Sequence, residues 1–598
     1  ATRMRTDDLI NIAEYYSQNL SNLFSIECWG GATFDTSMRF LKEDPWDRLA
    51  RLNSKAPNLL KQMLFRGSNA VGYKNYPDNV VKHFVQQSAQ AGIDVFRIFD
   101  SLNLIDNMRV AIDEVRSQNK ICEGTICYTN DVTDKDEKKY TLKYYINLVK
   151  ELESAGANII AIKDMAGLAK PKAIKLLIKE IKNTTNLPIH FHTHDTSGTS
   201  SASVLAAIEE NVDIVDLAVD SMSGLTSQPA LGSVVSIMKQ NYEDPHLDEE
   251  SIRTLSLYWE QVRQNYHAFE TDFKGGSSDV YLHQMPGGQF TNLKEQARSL
   301  GITTDKWGMV ANKYAQVNQL FGDIVKVTPS SKIVGDMALY MIANDLTKED
   351  VLDPKKEISF PESVIEFFKG EIGIPFGGFP KDLQKKVLGD IKPLVKRPGE
   401  VLEPVNLNVE KEKIEKEIEM KVDEKHLASY LMYPKVFKDF IDHNKEFSDT
   451  SILSTELFFY GPQQDKEYTI EIDKGKNLIL RYLAKSEINS NGKCSVFFEI
   501  NGQPRTIDIE NKEFSKNITQ RVKAEDNNQN QVGSPLPGQV AKVFIEVGSK
   551  VIKGDKLLII EAMKMETTIN ADRSGTIKSV TVSSGDNVET KDLLVEIN

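Results

Sequence analysis

The stretch Asn158-Ile-Ile-Ala-Ile-Lys-Asp-Met165, followed after a helical segment at Lys172–Lys182 by Pro188-Ile-His-Phe-His-Thr-His194, decides the fold. Two short apolar runs flank an amphipathic helix, and each run ends in chemically reactive side chains: Lys163 in the first, His192 and His194 in the second. Strand, helix, then strand is the unit of a parallel α/β sheet. Working outward, further candidate strands lie at Leu23–Trp29, Gln62–Arg66, Val95–Asp100, Gly124–Thr129 and Ile214–Val219. Helical periodicity recurs at Lys82–Ala91, Thr141–Ala155 and Ser200–Glu210. That makes seven strands. A closed (β/α)8 barrel has eight and carries its active site at the strands' C-terminal ends, where Arg66, Asp100, Lys163, His192 and His194 fall. The pattern predicts a (β/α) barrel whose first strand is expected just upstream of Ala1. The first residue is Ala1, not methionine, which points to a truncated chain. An open doubly wound sheet is the alternative, but no glycine-rich phosphate fingerprint follows the first strand.

Beyond the barrel, taken as 1–300, residues 301–405 read as a helical extension and 406–525 as a small α+β module. The loops Ser221–Pro229 and Met285–Gln289 are expected to cap the barrel mouth. The charged stretch from Val409 to about His426 reads as a solvated connecting helix, and Asn501-Gly502 as a hairpin turn. Glu525–Gln531 is polar and without periodicity, so 526–533 is expected to be a flexible linker. Residues 534–598 are an internal repeat. A shift of 37 places Gly538 on Gly575, Val543 on Val580, Gly548 on Gly585, Val551 on Val588, Asp555 on Asp592, Leu557 on Leu594 and Ile560 on Ile597. Two β-rich halves with glycine turns predict a small all-β sandwich. Between them stands Glu561-Ala-Met-Lys-Met-Glu-Thr-Thr568, which puts Lys564 at an expected exposed hairpin tip. An ordinary surface lysine is the plain alternative. The repeat, the upstream Pro535-Leu-Pro-Gly538 and the Met-Lys-Met string favour a biotin attachment site. The segment resembles the biotinyl domains of biotin-dependent carboxylases. Lipoyl domains share that fold but usually lack the flanking methionines.

Of 598 residues, 40% are hydrophobic and 27% charged, ordinary values for soluble globular domains, and the length suits three or four of them. A net charge of −13 and a pI near 5.4 argue against nucleic acid or an anionic membrane as partner. Four cysteines without metal spacing fit a reducing cytoplasm, and no long apolar run suggests a membrane span.

In a strand, residues two apart share a face, so His192 and His194 can reach one metal together. A hydrogen-bonded core pair is the alternative. His190 has the same parity but lies deeper, where barrel-interior packing is expected. An ammonium aimed at a divalent cation is repelled, so Lys163 must be neutral, turned away or modified. Arg66 could bind a carboxylate through its planar fork or form a strand-end salt bridge. Val327-Thr328-Pro329 reads as a helix N-cap, a hydroxyl being a poor general base unless it accepts one proton while donating another.

The chain resembles, over essentially its whole length, the carboxyltransferase, tetramerisation and biotin-carrier regions of the pyruvate carboxylase family. The matching strings include Trp29-Gly-Gly-Ala-Thr-Phe-Asp35, Leu64-Phe-Arg-Gly-Ser-Asn-Ala-Val-Gly-Tyr73, Phe99-Asp-Ser-Leu-Asn103, His192-Thr-His-Asp-Thr-Ser-Gly198 and Phe321-Gly-Asp-Ile-Val-Lys-Val-Thr-Pro-Ser-Ser331. The resemblance implies carboxyl transfer from carboxybiotin to pyruvate, giving oxaloacetate. It further implies Mn²⁺ or Zn²⁺ on His192, His194 and a carbamylated Lys163. Arg66 would bind pyruvate and stabilise its enolate, Thr328 relay a proton, Tyr73 hold the reacting groups, and Lys564 carry biotin added by biotin protein ligase. A homotetramer, acetyl-CoA regulation and a separate ATP-using biotin carboxylase domain belong to the same picture. Two features depart from it. The family's first-strand Arg-Asp-Ala-His-Gln motif, which supplies an aspartate metal ligand, is absent and expected upstream of Ala1, and the biotin carboxylase half is missing. An oxaloacetate decarboxylase-type subunit, or a non-catalytic biotin carrier and scaffold, are the competing readings.

Overall fold

The computed structural model describes residues 3–270, 273–303, 306–488, 493–510, 522–525, 528, 530–562 and 565–598. The chain divides into two compact units, one of residues 1–297, 303–360 and 364–448, the other of residues 298–302, 361–363 and 449–598. In the first, strands β1 (Ser25–Gly30), β2 (Leu60–Phe65), β3 (Val95–Ile98), β4 (Ile121–Cys127), β5 (Ile159–Asp164), β6 (Ile189–Thr193) and β7 (Ile214–Val215) lie side by side in chain order. Every neighbouring pair is parallel. All residues of β3, β5 and β6 are buried, because helices cover one face and the barrel interior fills the other.

The covering helices form for local reasons. Pro171–Lys182 buries Ile174, Leu177, Ile178 and Ile181, the three-and-four spacing of one helix face. Each fully buried Ile or Leu contributes about 1.5–3 kcal/mol. Leu142–Ala155 starts where the Thr141 side chain accepts from the Tyr144 amide, and it stops at Gly156, whose φ of 99° suits a residue without Cβ.

Strand β7 is shorter than the expected Ile214–Val219, since Ala218 leaves the sheet to bridge Ala230. Among the described residues β1 and β7 share no ladder. A cavity of about 580 Å³ lies between them instead, lined by Phe24, Ile26, Val215, Leu217, Leu231 and Trp259.

The stretch read as a solvated connecting helix is not one. Helix Leu407–Ile418 buries Ile414 and Ile418, four residues apart on one face. Helices Glu424–Met432 and Pro434–Phe447 pack on the barrel: Trp46 Nε1 donates to Ser429 Oγ at 2.8 Å. The region expected to open the α+β module at 406 therefore stays with the barrel as far as Ser448.

The second unit holds an antiparallel sheet of β8 (Glu467–Asp473), β9 (Lys476–Lys485), β10 (Lys493–Ile500) and β11 (Gln503–Glu510). Asn501 and Gly502, both at positive φ, join β10 to β11 as the two-residue turn the sequence predicts. The repeat follows as β12 (Gln531–Gly533), β13 (Gly538–Val543), β14 (Lys550–Val551), β15 (Lys556–Ala562), β16 (Met565–Asn570), β17 (Gly575–Val580), β18 (Asn587–Val588) and β19 (Leu593–Ile597). Two sheets, β12-β19-β17-β14 and β16-β15-β13-β18, face a core of Val540, Leu557, Ile560, Leu594 and Ile597. Each half lends its short strand to the other: β14 pairs with β17, and β18 with β13. Neither half therefore completes a sheet alone. The expected linker at 526–533 is in part strand, because β12 pairs with β19 and Lys523 bridges Asp592. The β15–β16 ladder runs to Ala562 opposite Met565; Lys564 lies outside the described residues. All four cysteines are free, and no described helix is long and apolar enough to cross a membrane.

Candidate functional site

Charged side chains in strands buried on both faces must find partners inside the barrel. Arg97 on β3 is the hub. Its guanidinium donates to Glu123 on β4, to Glu27 on β1 at 2.9 Å and to Asp216, just past β7, at 2.5 Å. His190 on β6 places one ring nitrogen 2.8 Å from Glu123 and the other 2.8 Å from Asp216. Burial alone would lower its pKa, but the carboxylates of Asp216 and Glu123 push it up to about 9. His190 is part of an ionic network, which is more than the packing role expected of it.

His192 and His194 behave oppositely. His192 Nδ1 donates to Asp216 Oδ2 at 2.7 Å, and His194 Nδ1 to the Thr226 carbonyl at 2.6 Å. Both rings therefore present a bare Nε2, and these two nitrogens stand 3.1 Å apart. Two lone pairs at that separation repel unless a proton or a metal cation lies between them. Burial, then the charge of Lys163, lowers both pKa values, His194 to about 4, so the rings stay neutral as metal ligands must. Lys163 on β5 is in register with His192 on β6, and burial lowers its pKa as well. A depressed lysine pKa favours the free amine, the form that reacts with carbon dioxide. Among the described residues no group of three His, Cys, Asp or Glu side chains is set to hold a metal, so the histidine pair fits a divalent ion only with further ligands.

The loops expected at the mouth are there. Gly287 N donates to the Met165 carbonyl at 3.0 Å. A Cβ on Gly287 would stand 3.1 Å from Thr226 Cβ, 3.2 Å from Thr226 O and 3.3 Å from His194 Nδ1, so a side chain here would ask Thr226 or His194 to give by a few tenths of an ångström.

Arg66 follows β2 and is buried. Nη1 donates to the carbonyls of Val71 and, at 3.2 Å, Gly72, while the guanidinium lies 5.2 Å from the Tyr73 ring centre. The strand-end salt bridge does not form: Arg66 has no ion pair among the described residues, and Nε is buried without a partner. An unsatisfied buried donor costs about 1–3 kcal/mol. The alternative of Thr328 as N-cap also fails. Helix Ser330–Ala343 starts after Pro329 with no side-chain cap. Ser330 Oγ reaches the carbonyl of Ser101, next to the end of β3, which lays the half-buried Thr328 segment against the strand ends.

Sequence reasoning missed Glu27, Arg97, Glu123 and Asp216. A signal was present: single charges inside Ser25-Ile-Glu-Cys, Val95-Phe-Arg-Ile98 and Ile121-Cys-Glu-Gly124, runs otherwise built for burial. Asp35, fully buried within the quoted Trp29–Asp35 string, was also passed over.

A barrel with a neutral histidine pair and a buried arginine at its C-terminal rim, joined on one chain to a biotinyl-type sandwich, has the plan of a biotin-dependent enzyme. Comparison with known proteins agrees. Residues 79–258 match the HMGL-like family, 280–481 the conserved carboxylase domain family and 530–597 the biotin-requiring enzyme family. Pyruvate carboxylase of Bacillus subtilis is 49% identical over 597 residues, covering 100% of this chain and 52% of its own length. The carboxyl transferase domain of Rhizobium etli pyruvate carboxylase, solved with pyruvate and biocytin, is 57% identical, with 86% of each chain covered and a TM-score of 0.83. The complete multifunctional Rhizobium etli enzyme is 54% identical over 100% of this chain and 55% of its own, also at a TM-score of 0.83. The chain belongs to the pyruvate carboxylase family. It spans about half the length of the curated relatives it matches.

Proposed function

We propose that this chain transfers a carboxyl group from carboxybiotin to the methyl carbon of pyruvate, giving oxaloacetate. The observation that carries the reading is the pairing, at one end of the barrel, of two bare imidazole nitrogens with a guanidinium whose Nε is unpartnered. Removing a proton from a methyl ketone builds an enolate, so preorganised positive charge beside the oxygen matters most. Arg66 binds the pyruvate carboxylate and faces the developing enolate, with Tyr73 packed on its guanidinium. Thr328 accepts a proton from the methyl group as it donates its own toward the biotin ring nitrogen, so no full charge builds on the hydroxyl. His192, His194 and Lys163 as its carbamate would hold Mn²⁺ or Zn²⁺, which when bound supplies Lewis-acid polarisation of the ketone. The cavity between β1 and β7 suits an eighth strand, the expected source of the aspartate ligand. On the same reading Lys564 carries the biotin, biotin protein ligase attaches it, a biotin carboxylase domain charges it, and the protein works as a homotetramer.

The test is isotope exchange between labelled pyruvate and oxaloacetate without ATP, with avidin as the block. Avidin-sensitive exchange supports the proposal; none from fully biotinylated, metal-loaded holoenzyme overturns it. Two substitutions refine it. Thr328→Ala is expected to slow exchange by about 10² or more, in the range for a lost proton-transfer group, with metal content unchanged. Gly287→Ala crowds Thr226 and His194, and where Thr226 O is displaced from His194 Nδ1 metal retention is expected to weaken by up to about tenfold. Chelator competition reads that change, and wild-type retention would show that the loop yields without disturbing the histidine.

A further inference from the structure

The turn that carries Arg66 is unusual. Residues 66–72 fold back so that Arg66 N donates to Ala70 O at 2.7 Å, and Ala70 takes φ 47° and ψ −113°, a conformation that residues with a Cβ rarely adopt. Such backbone persists only where surrounding contacts over-determine it. One of those contacts lies within the turn and another reaches the helix Ile105–Ser117. The Ser68 hydroxyl donates to the Asn107 carbonyl at 2.9 Å, and Gly72 N to Asn69 O at 2.7 Å. The far end, where Val71 O receives the Arg66 guanidinium, is held from elsewhere.

That support is Tyr433. It stands at the corner between helices Glu424–Met432 and Pro434–Phe447, and its hydroxyl donates to Val71 O at 2.6 Å across 362 residues of chain. Burial, with Tyr73 beside it, keeps the phenol protonated and hence a donor. Its ring packs edge-on to Tyr73, centroids 6.4 Å apart, and stacks on Phe34 at the same distance. One side chain thus fastens the carbonyl that orients Arg66, the aromatic that lies on Arg66, and the segment before Asp35.

We propose that Tyr433 is a positioning residue for the substrate site: through the Val71 carbonyl it holds Arg66 in the orientation that receives a pyruvate or enolate anion. The role rests on the reading of Arg66 as the anion-binding arginine. Through it, the helical corner at 424–447 tunes substrate affinity without touching substrate.

The experiment compares Tyr433→Phe with Ser429→Ala in the biotinylated holoenzyme. Phenylalanine keeps both ring contacts and deletes only the hydroxyl. Ser429→Ala removes the Trp46 bond of the same helix but leaves Val71 alone. Binding of oxalate, a dianion shaped like the pyruvate enolate, is measured by calorimetry, and ATP-free exchange supplies kcat and KM for pyruvate. Tyr433→Phe is expected to weaken oxalate and raise the pyruvate KM by about five- to tenfold, the size of one hydrogen bond, with kcat changed less. Ser429→Ala is expected to lower Tm while leaving both affinities at wild-type values. Wild-type oxalate affinity in Tyr433→Phe overturns the proposal, as does an equal loss in both variants. Absence of exchange from the wild type would overturn the carboxyl-transfer reading alone, and the oxalate titration would still decide the role of Tyr433.

Discussion

Lys564→Arg is expected to abolish avidin-sensitive exchange between pyruvate and oxaloacetate while leaving both compact units folded. Biotin is joined through an amide to a lysine amine, which must shed its proton to attack. A guanidinium stays protonated at any working pH and offers no such nucleophile, although it preserves charge and length. Loss of the tether also costs proximity, since a short flexible link holds its cargo at roughly millimolar effective concentration. Free biotin added at tens of millimolar should therefore restore part of the exchange if the barrel is intact. Streptavidin blotting checks the modification, and isotope exchange checks the transfer. Exchange at the wild-type rate in the arginine variant would remove Lys564 from the carrier role.

Arg66→Gln should lower kcat/KM for pyruvate by roughly 10²–10³, the range for deleting one preorganised donor that faces a developing oxyanion. The structure sharpens the expectation. Nη1 is committed to the Val71 and Gly72 carbonyls, and among the described residues no carboxylate forms an ion pair with the guanidinium. Arg66→Lys separates charge from geometry: an ammonium keeps the charge but cannot hold the turn and grip a carboxylate in parallel, so an intermediate loss is expected. Metal content should stay at the wild-type level in both variants. An Arg66→Gln enzyme within threefold of wild type would mean that the anion is received elsewhere.

Much of this architecture was legible locally. The 37-residue repeat maps onto β13, β14 and β15 in one half and β17, β18 and β19 in the other. The alternation of apolar runs with amphipathic helices marked all seven barrel strands, with errors of a few residues at their ends. Candidate chemistry was legible too: Lys163, His192 and His194 are strand-end residues whose faces follow from parity. Other readings needed the folded molecule. Nothing in Thr328-Pro329 says whether the threonine caps the next helix, and nothing around Val409 says whether its helix is covered.

What the sequence by itself determined was therefore the type of each barrel strand and its covering helix, the doubling of the carrier domain and the strand-end positions of Lys163, His192 and His194. These rest on short-range periodicity, which covalent adjacency writes directly into the chain. The tertiary structure alone decided which charges neutralise one another in the barrel, that His192 and His194 turn Nε2 toward each other, that Arg66 has no ion pair among the described residues, and that Tyr433 closes on Val71. Those facts depend on burial and on contacts between residues far apart in the chain. A buried charge must be paired wherever a partner can be brought to it, and only the completed packing determines which partner that is.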